Sequence, residues 1–355
     1  MNSKHIQLLD CTLRDGGMEL ANAKDKGWIT CGFSDSVLRK ITSGLMLANI
    51  DIIETASISE NGYEKKEFAV FGDPITSSRY FDRTRFSGMM AVLYMGPNVE
   101  YSRIPYADQT LCDAARVMLR YSELGASLDL CKELAYKGYK VFIQPSITMR
   151  YSLEELLQIT KTANKINAYA MYIVDSYGYM LSDNIRKLVS LYDSELDENI
   201  KIGLHTHNNI NMALSNAIEF LNMKTDRDLI LDACLSGLGQ GAGNLQTELI
   251  THYLNRILNA GYDIFPVLDS CQIVDKFKNV YYEWGYSVPR MIAAANLTSY
   301  KYGDTLRYKY GLSYSQIYRA LMNMPEEIRQ RYTDYNAEKV YLNFVKVIEE
   351  VNENI

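Results

Sequence analysis

The chain lacks the features that mark several protein classes. Its six cysteines, at 11, 31, 112, 131, 234 and 271, are scattered, and none pair as C-x-x-C. Neither a disulfide scaffold nor a thiolate zinc site fits that spacing. No apolar stretch approaches the roughly 20 residues needed to cross a bilayer. The start, Met1-Asn2-Ser3-Lys4-His5, leads straight into a strand-like run without the apolar segment of a secretory leader. Reduced thiols and no leader make the cytoplasm the expected setting. A surplus of positive charge is also missing: 37 Lys+Arg against 43 Asp+Glu leave a net charge of −6. Nucleic-acid binding, which needs phosphate-neutralising cations, and a membrane role are therefore not expected.

What remains is an ordinary soluble composition, 47% hydrophobic and 23% charged, sufficient for a core of normal size. The 355 residues correspond to roughly two domains, although a single α/β barrel can take about 250. Of the 40 aromatic residues, 28 are tyrosine, which reads equally as wet interfaces or as codon bias.

Over the first 260 residues, short β-branched or apolar runs alternate with longer amphipathic stretches. Eight strands are predicted: Ile6–Asp10, Asp51–Glu54, Gly88–Tyr94, Ala115–Leu119, Lys140–Gln144, Ala170–Val174, Lys201–Leu204 and Leu229–Cys234. Helical patterns lie between them at Ser36–Leu47, Leu124–Tyr136, Ser152–Lys165, Asn184–Tyr192 and Met212–Leu221. Ser152-x-x-Glu155 is a capping box that starts one of these helices. Regular alternation implies a parallel sheet with helices outside. Eight units favour a closed (β/α)8 TIM barrel over an open doubly wound sheet. After Gly261 the strands stop. Helices are predicted at Val267–Trp284, Pro289–Tyr302, Ser313–Met324, behind a second capping box Ser313-x-x-Gln316, and Ala337–Val351. The expected division is a barrel over 1–261 and a helical subdomain over 262–355, with no low-complexity linker between them.

Histidine is scarce, with four in the chain. Two of them, His205 and His207, lie two apart at the end of the seventh predicted strand. Residues i and i+2 of an extended backbone face the same side, so both imidazoles can meet one cation. The bland alternative is two solvated loop histidines; His5 and His252 have no such neighbour and read as structural. The first strand ends in Asp10-Cys11-Thr12-Leu13-Arg14-Asp15-Gly16-Gly17. The two glycines suggest a tight loop that brings backbone N–H groups to a ligand, with Gly16 a substrate contact. Asp15 offers an oxygen ligand and Arg14 a fixed guanidinium. The second strand ends at Glu54, whose expected partner is Arg14. Asp175-Ser176-Tyr177-Gly178 follows the sixth strand, and Gly237 to Asn244, with four glycines, follows the eighth. That last segment reads either as an anion cradle before a helix or as a permissive turn. All five loci follow predicted strands, and in a parallel barrel those ends open on the active-site face.

Taken together, Leu13-Arg14-Asp15-Gly16, Glu54, His205-x-His207 and Gly241-Ala242-Gly243-Asn244-Leu245 resemble the DRE-TIM metallolyase superfamily. That group holds 3-hydroxy-3-methylglutaryl-CoA lyase, isopropylmalate and homocitrate synthases, and 4-hydroxy-2-oxovalerate aldolase. The resemblance covers residue 6 to about 260. It implies a divalent cation, Mn²⁺ or Mg²⁺ with Zn²⁺ as an alternative, held by Asp15, His205, His207 and Asn244. It also implies that Arg14 stabilises an enolate oxygen, that Glu54 holds Arg14, and that Ser176 contacts substrate. A 2-oxo acid can chelate such a cation, which spreads the charge that builds as the neighbouring C–C bond breaks.

The tail Trp284-Gly285-Tyr286-Ser287 looks most like the aldolase branch. That likeness implies a pyruvate-type 2-oxo acid and an aldehyde as substrates. It also marks the helical tail as the surface for a homodimer or a dehydrogenase partner. One departure matters: aldolase relatives carry a histidine as general base three residues after the Asp, and here Met18 stands there. Tyr286 is the replacement suggested by the resemblance; a metal-bound hydroxide is the alternative, with Tyr286 then merely packing. Carboxyltransferase relatives use a lysine near the sixth strand, and 169–178 contains none, which argues against biotin chemistry. Three readings stand: an aldolase or C–C lyase, a Claisen synthase joining an acyl-CoA to a 2-oxo acid, and a non-catalytic metal-binding barrel.

Overall fold

Alternation along each strand decides the architecture. Leu8 and Leu9, neighbours on Ile6–Asp10 (β1), are both fully buried but belong to different cores, one outside the sheet and one within it. The computed structural model describes residues 5–78, 81, 83, 86–280, 284–329 and 331–353, with backbone alone at 279–280 and 348–353. The strands that follow are Ile52–Ile58 (β2), Val70–Phe71 (β3), Met89–Tyr94 (β4), Ala114–Leu119 (β5), Lys140–Pro145 (β6), Ala170–Asp175 (β7), Lys201–Thr206 (β8) and Leu229–Ala233 (β9). All named pairings are parallel, and β1 pairs with both β2 and β9. Eight strands therefore close into a barrel, while β3 only extends the edge of β2. The predicted TIM barrel is the observed fold.

One strand boundary differs from expectation. β2 continues past Glu54 through Thr55, Ala56, Ser57 and Ile58, all buried. Its register to β4 passes from Glu54↔Ala91 to Ala56↔Val92, which leaves Thr55 as a bulge. Glu54 is thus a mid-strand side chain rather than a strand terminus.

The barrel interior is filled by Leu9, Cys11, Ile52, Ala114, Phe142, Ala170, Tyr172 and Ile230. Two residues further along, the same inward parity brings Glu54, Arg116 and Asp232 into the barrel. The pleat that seats the apolar layer therefore also seats the charged layer above it.

Both capping boxes are present: Ser152 and Ser313 accept from the N–H of Glu155 and Gln316 at 3.2 and 3.4 Å. The Ile264–Val280 helix packs Val267, Cys271 and Val274 into the barrel's outer core. The predicted continuation to Trp284 crosses residues 281–283, which lie outside the described residues, and Trp284 itself is not helical. Beyond it, Ile292, Tyr302, Leu306, Ile317, Leu321 and Phe344 form a separate core. The helix expected over Pro289–Tyr302 is two helices, Val288–Ala295 and Tyr300–Asp304. Leu297 breaks it at φ 55, and Ser299 caps the second piece. That break directs Ser299 and Tyr300 toward the mouth of the barrel.

The tail is tied to the loop after β9. Arg290, 1% exposed, pairs with Asp304 at 3.0 Å and donates to the Gly241 carbonyl at 3.0 Å. Trp284 Nε1 donates to the Gly239 carbonyl at 2.8 Å.

Candidate active site

β1 does not end in an open loop. It runs into a single wide turn, Thr12–Gly16, and directly on into the Gly17–Asp25 helix. Gly16 and Gly17 have ordinary helical φ of −62° and −58°, so the expected tight glycine loop is not formed. The glycines serve close packing instead. A Cβ on Gly16 would lie 2.9 Å from the Leu238 side chain, and one on Gly17 would lie 2.2 Å from the Phe68 carbonyl oxygen.

This turn holds Arg14 and Asp15 over the barrel axis, 6% and 0% exposed. Arg14 Nε donates to Glu54 Oε2 at 2.6 Å, and its NH1 donates to Asp15 Oδ1 at 2.9 Å. From β8 and its end, His205 and His207 point Nε2 at each other across 3.2 Å. His207 Nε2 is 3.8 Å from Asp15 Oδ2. The ligand atoms of Asp15, His205 and His207 all lie within 4.8 Å of one another. Asn244 completes the set. Its amide N–H donates to Asp15 Oδ2, while its Oδ1 is buried and has no partner.

The outer nitrogens fix the imidazole tautomers. His207 Nδ1 lies 3.1 Å from the Gln240 carbonyl, which can only accept, so Nδ1 carries the proton. His205 Nδ1 lies 3.0 Å from Asp232 Oδ2 and donates likewise. Both Nε2 lone pairs then face inward, as metal-ligating histidines require. Burial pushes His207 down to about 4, with Asp15 opposing, so it is uncharged at neutral pH. Burial alone would raise Asp15, yet Arg14 and the two imidazoles hold it well below the usual carboxylate range. Burial would likewise raise Asp232, and Arg116 holds it low.

These observations fit a divalent cation. Two lone pairs and a carboxylate converge, and the amide that donates to that carboxylate keeps a buried oxygen with no partner. Three buried carboxylates, Asp15, Glu54 and Asp232, face two buried guanidiniums, Arg14 and Arg116. Those five groups by themselves carry one net negative charge. Nitrogen and oxygen donors of this kind suit Mn²⁺, Mg²⁺ or Zn²⁺.

A cavity of about 230 Å³ opens beside them, lined by Arg14, Asp15, Met18, Ser176, His205, His207, Gln240 and Tyr300 among others. Ser176 accepts from the Ile147 N–H at 3.0 Å, which leaves its own O–H free to donate. Ile147 is held at φ 55, an unusual conformation for a β-branched residue. Two described tyrosines line the cavity, Tyr177 and Tyr300, whereas Tyr286 is 53% exposed and does not line it. The Tyr300 hydroxyl donates to buried Glu19 at 3.1 Å.

Sequence reasoning missed Arg116, Asp232 and Tyr300. Arg116 and Asp232 carried a readable signal, a single charge at an inward position of an apolar strand. Tyr300 carried none, because the helix break that turns it inward is a tertiary feature.

Residues 115–276 match the HMGL-like family. The chain is 37% identical to the 4-hydroxy-2-oxovalerate aldolase of Pseudoalteromonas translucida over 119 residues, 33% of this chain and 34% of that enzyme. That match spans about a third of the relative's length. A longer one, to the 4-hydroxy-2-oxovalerate aldolase of Geobacillus genomosp. 3, is 25% identical over 279 residues, 77% of this chain and 78% of that one. In fold the chain is similar to an N-terminal domain from Bacteroides vulgatus, with TM-score 0.69 and 23% identity over 88% of this chain and 99% of that one.

Proposed function

We propose that this chain, which carries an HMGL-like domain on a (β/α)8 barrel, is a divalent-metal-dependent aldolase or C–C lyase. It acts on a 2-oxo acid through a pyruvate-type enolate and releases or takes up an aldehyde. One observation carries the reading: Asp15, His205 and His207 converge beside the Arg14 guanidinium at the wall of a small cavity, with Asn244, whose buried Oδ1 has no partner, donating to Asp15. Those four residues would hold Mn²⁺ or Mg²⁺, with Zn²⁺ also suited to the donors. When bound, the ion supplies Lewis-acid stabilisation of an enolate oxygen.

The chain's own groups do the rest. Arg14, with Nε held by Glu54 and NH1 by Asp15, offers NH2 to the same oxygen; a preorganised donor of this kind contributes about 10²–10³ in rate. Asp232 and the Gln240 carbonyl hold protons on the Nδ1 atoms, which leaves the Nε2 atoms as the ligand side of both rings. Ser176 donates its O–H to the substrate carboxylate. Met18 cannot accept a proton. Tyr300 can take one from the substrate hydroxyl, provided that its own proton passes to Glu19. A 2-oxo acid monoanion together with a dication neutralises the single negative charge of the buried group. The tail's exposed Tyr318, Met322, Leu342 and Val347 are the surface for a second copy or a dehydrogenase partner.

The test is incubation with pyruvate and Mn²⁺ in D₂O without CoA, followed by NMR of the methyl group, then mass spectrometry of 2-oxo acid and aldehyde mixtures. Methyl exchange and C–C bond formation support the aldolase. Release of free CoA from acetyl-CoA plus a 2-oxo acid would instead mark a Claisen synthase, and metal binding with no exchange a non-catalytic barrel.

A further inference from the structure

The inward-facing Arg116 of β5 is fully buried, where a barrel ordinarily holds a branched apolar residue. Its NH1 stands 3.0 Å from Glu54 Oε1 in an ion pair that makes no hydrogen bond, and its NH2 donates to Asp232 Oδ2. The Tyr172 ring lies 4.9 Å from the guanidinium carbon, and the Tyr172 hydroxyl donates to Asp232 Oδ1 at 3.0 Å. With its amide oxygen turned inward, Gln144 accepts from Nε and NH2 at 3.2 and 3.0 Å. A guanidinium buried this deeply persists only when it is paired on several sides.

Each carboxylate that Arg116 grips has a second partner in the site. Glu54 Oε2 takes Arg14 Nε at 2.6 Å, and Asp232 Oδ2 takes His205 Nδ1 at 3.0 Å. We propose that Arg116 is a positioning residue that couples the two halves of the site, setting the orientation of Arg14 through Glu54 and the ligand face of His205 through Asp232. The inference rests on the roles given to Arg14 and His205 above. The planar fork is essential to it. One guanidinium hydrogen-bonds Asp232 with one arm and sets its charge against Glu54 with the other, whereas an ammonium is a point charge that reaches only one of them well. A purely structural Arg116 would fill the barrel and leave both ends of the line unaffected by such a change.

The experiment uses the full chain and needs no turnover. Arg116→Lys is checked for folding by circular dichroism and thermal melting. Mn²⁺ affinity is then measured by electron paramagnetic resonance, and oxalate affinity at saturating Mn²⁺ by calorimetry. Oxalate is a planar mimic of a 2-oxo acid enolate and reports on Arg14. Coupling predicts that Mn²⁺ affinity falls about tenfold or more and that oxalate affinity also falls about tenfold, the loss of one charge-assisted contact. Both affinities within twofold of wild type, or a loss in only one of them, overturn the proposal. Where Arg116→Lys does not fold, Asp232→Asn tests the line from the other end. It removes no ligand, and unchanged oxalate affinity at saturating Mn²⁺ overturns the coupling. A wild-type chain that exchanges no pyruvate protons counts against the proposed function, while the two affinities still decide the role of Arg116.

Discussion

His205 and His207 direct their Nε2 atoms at each other across 3.2 Å, while a carboxylate and a carbonyl hold both Nδ1 protons on the far sides of the rings. Two lone pairs facing at that separation repel unless a cation stands against them. The pair therefore joins the fold to its chemistry: parity on β8 brings the rings together, and their outer partners make them ligands.

Mn²⁺ binding should depend on this pair and on Asp15. Chelation should abolish pyruvate proton exchange and Mn²⁺ or Mg²⁺ should restore it. His207→Ala should weaken Mn²⁺ by about 100-fold or more, beyond the usual effect of altering an outer partner. A variant that binds as tightly as wild type would show that the site is wrongly assigned.

Arg14→Lys keeps the charge and loses the fork that spans Glu54 and Asp15. Turnover should fall by roughly 10²-fold with little change in KM, the pattern of an interaction made in the transition state. Near-normal kcat would reduce Arg14 to a structural ion pair.

Tyr300→Phe and Tyr286→Phe separate the two tyrosines. The first should lower C–C cleavage by about 10²-fold or more with fold and Mn²⁺ affinity intact. The second, 53% exposed, should stay within a few-fold of wild type. The opposite ranking would return the proton acceptor to Tyr286.

Asp10 makes stability pH-dependent. Burial raises its carboxyl to about 6 from 3.8, although Thr247 and Thr12 donate to it. The folded state therefore holds a proton that the unfolded chain releases between pH 3.8 and 6. This contribution is fully present below pH 3.8 and is lost as pH rises through 6, about 3 kcal/mol by linkage. Asp10→Asn should flatten the slope of denaturant-measured stability between pH 4 and 7. An unchanged slope would count against the buried carboxyl as its source.

Gly17→Ala tests packing against propensity. Alanine is favoured at a helical φ by about 1 kcal/mol, yet its Cβ would lie 2.2 Å from a backbone oxygen. The variant should lose about 1–3 kcal/mol, the usual range for overpacking. A gain in melting temperature would mean that the Phe68 segment yields.

Much of the site was legible in the chain, and the reasons are local. Short apolar runs marked all eight barrel strands, because burial on both faces of a parallel sheet makes both parities of a strand apolar. His205 and His207 could be paired from their spacing alone, because an i, i+2 relation in extended backbone fixes a shared side. Arg14, Asp15 and the loop that ends in Asn244 could be grouped with them once a closed barrel was assumed, since that topology brings all strand ends to one rim; Asn244 itself was singled out by the family resemblance. Tertiary structure decided the rest. Helical packing against Phe68 and Leu238, rather than a tight loop, explains Gly16 and Gly17. Closure of the ring brought Arg116 of β5 between Glu54 of β2 and Asp232 of β9, three residues far apart in sequence. The break at Leu297, where φ turns positive, gave Tyr300 the cavity and left Tyr286 in solvent. Such facts depend on where distant segments meet, and no local pattern of residues encodes that meeting.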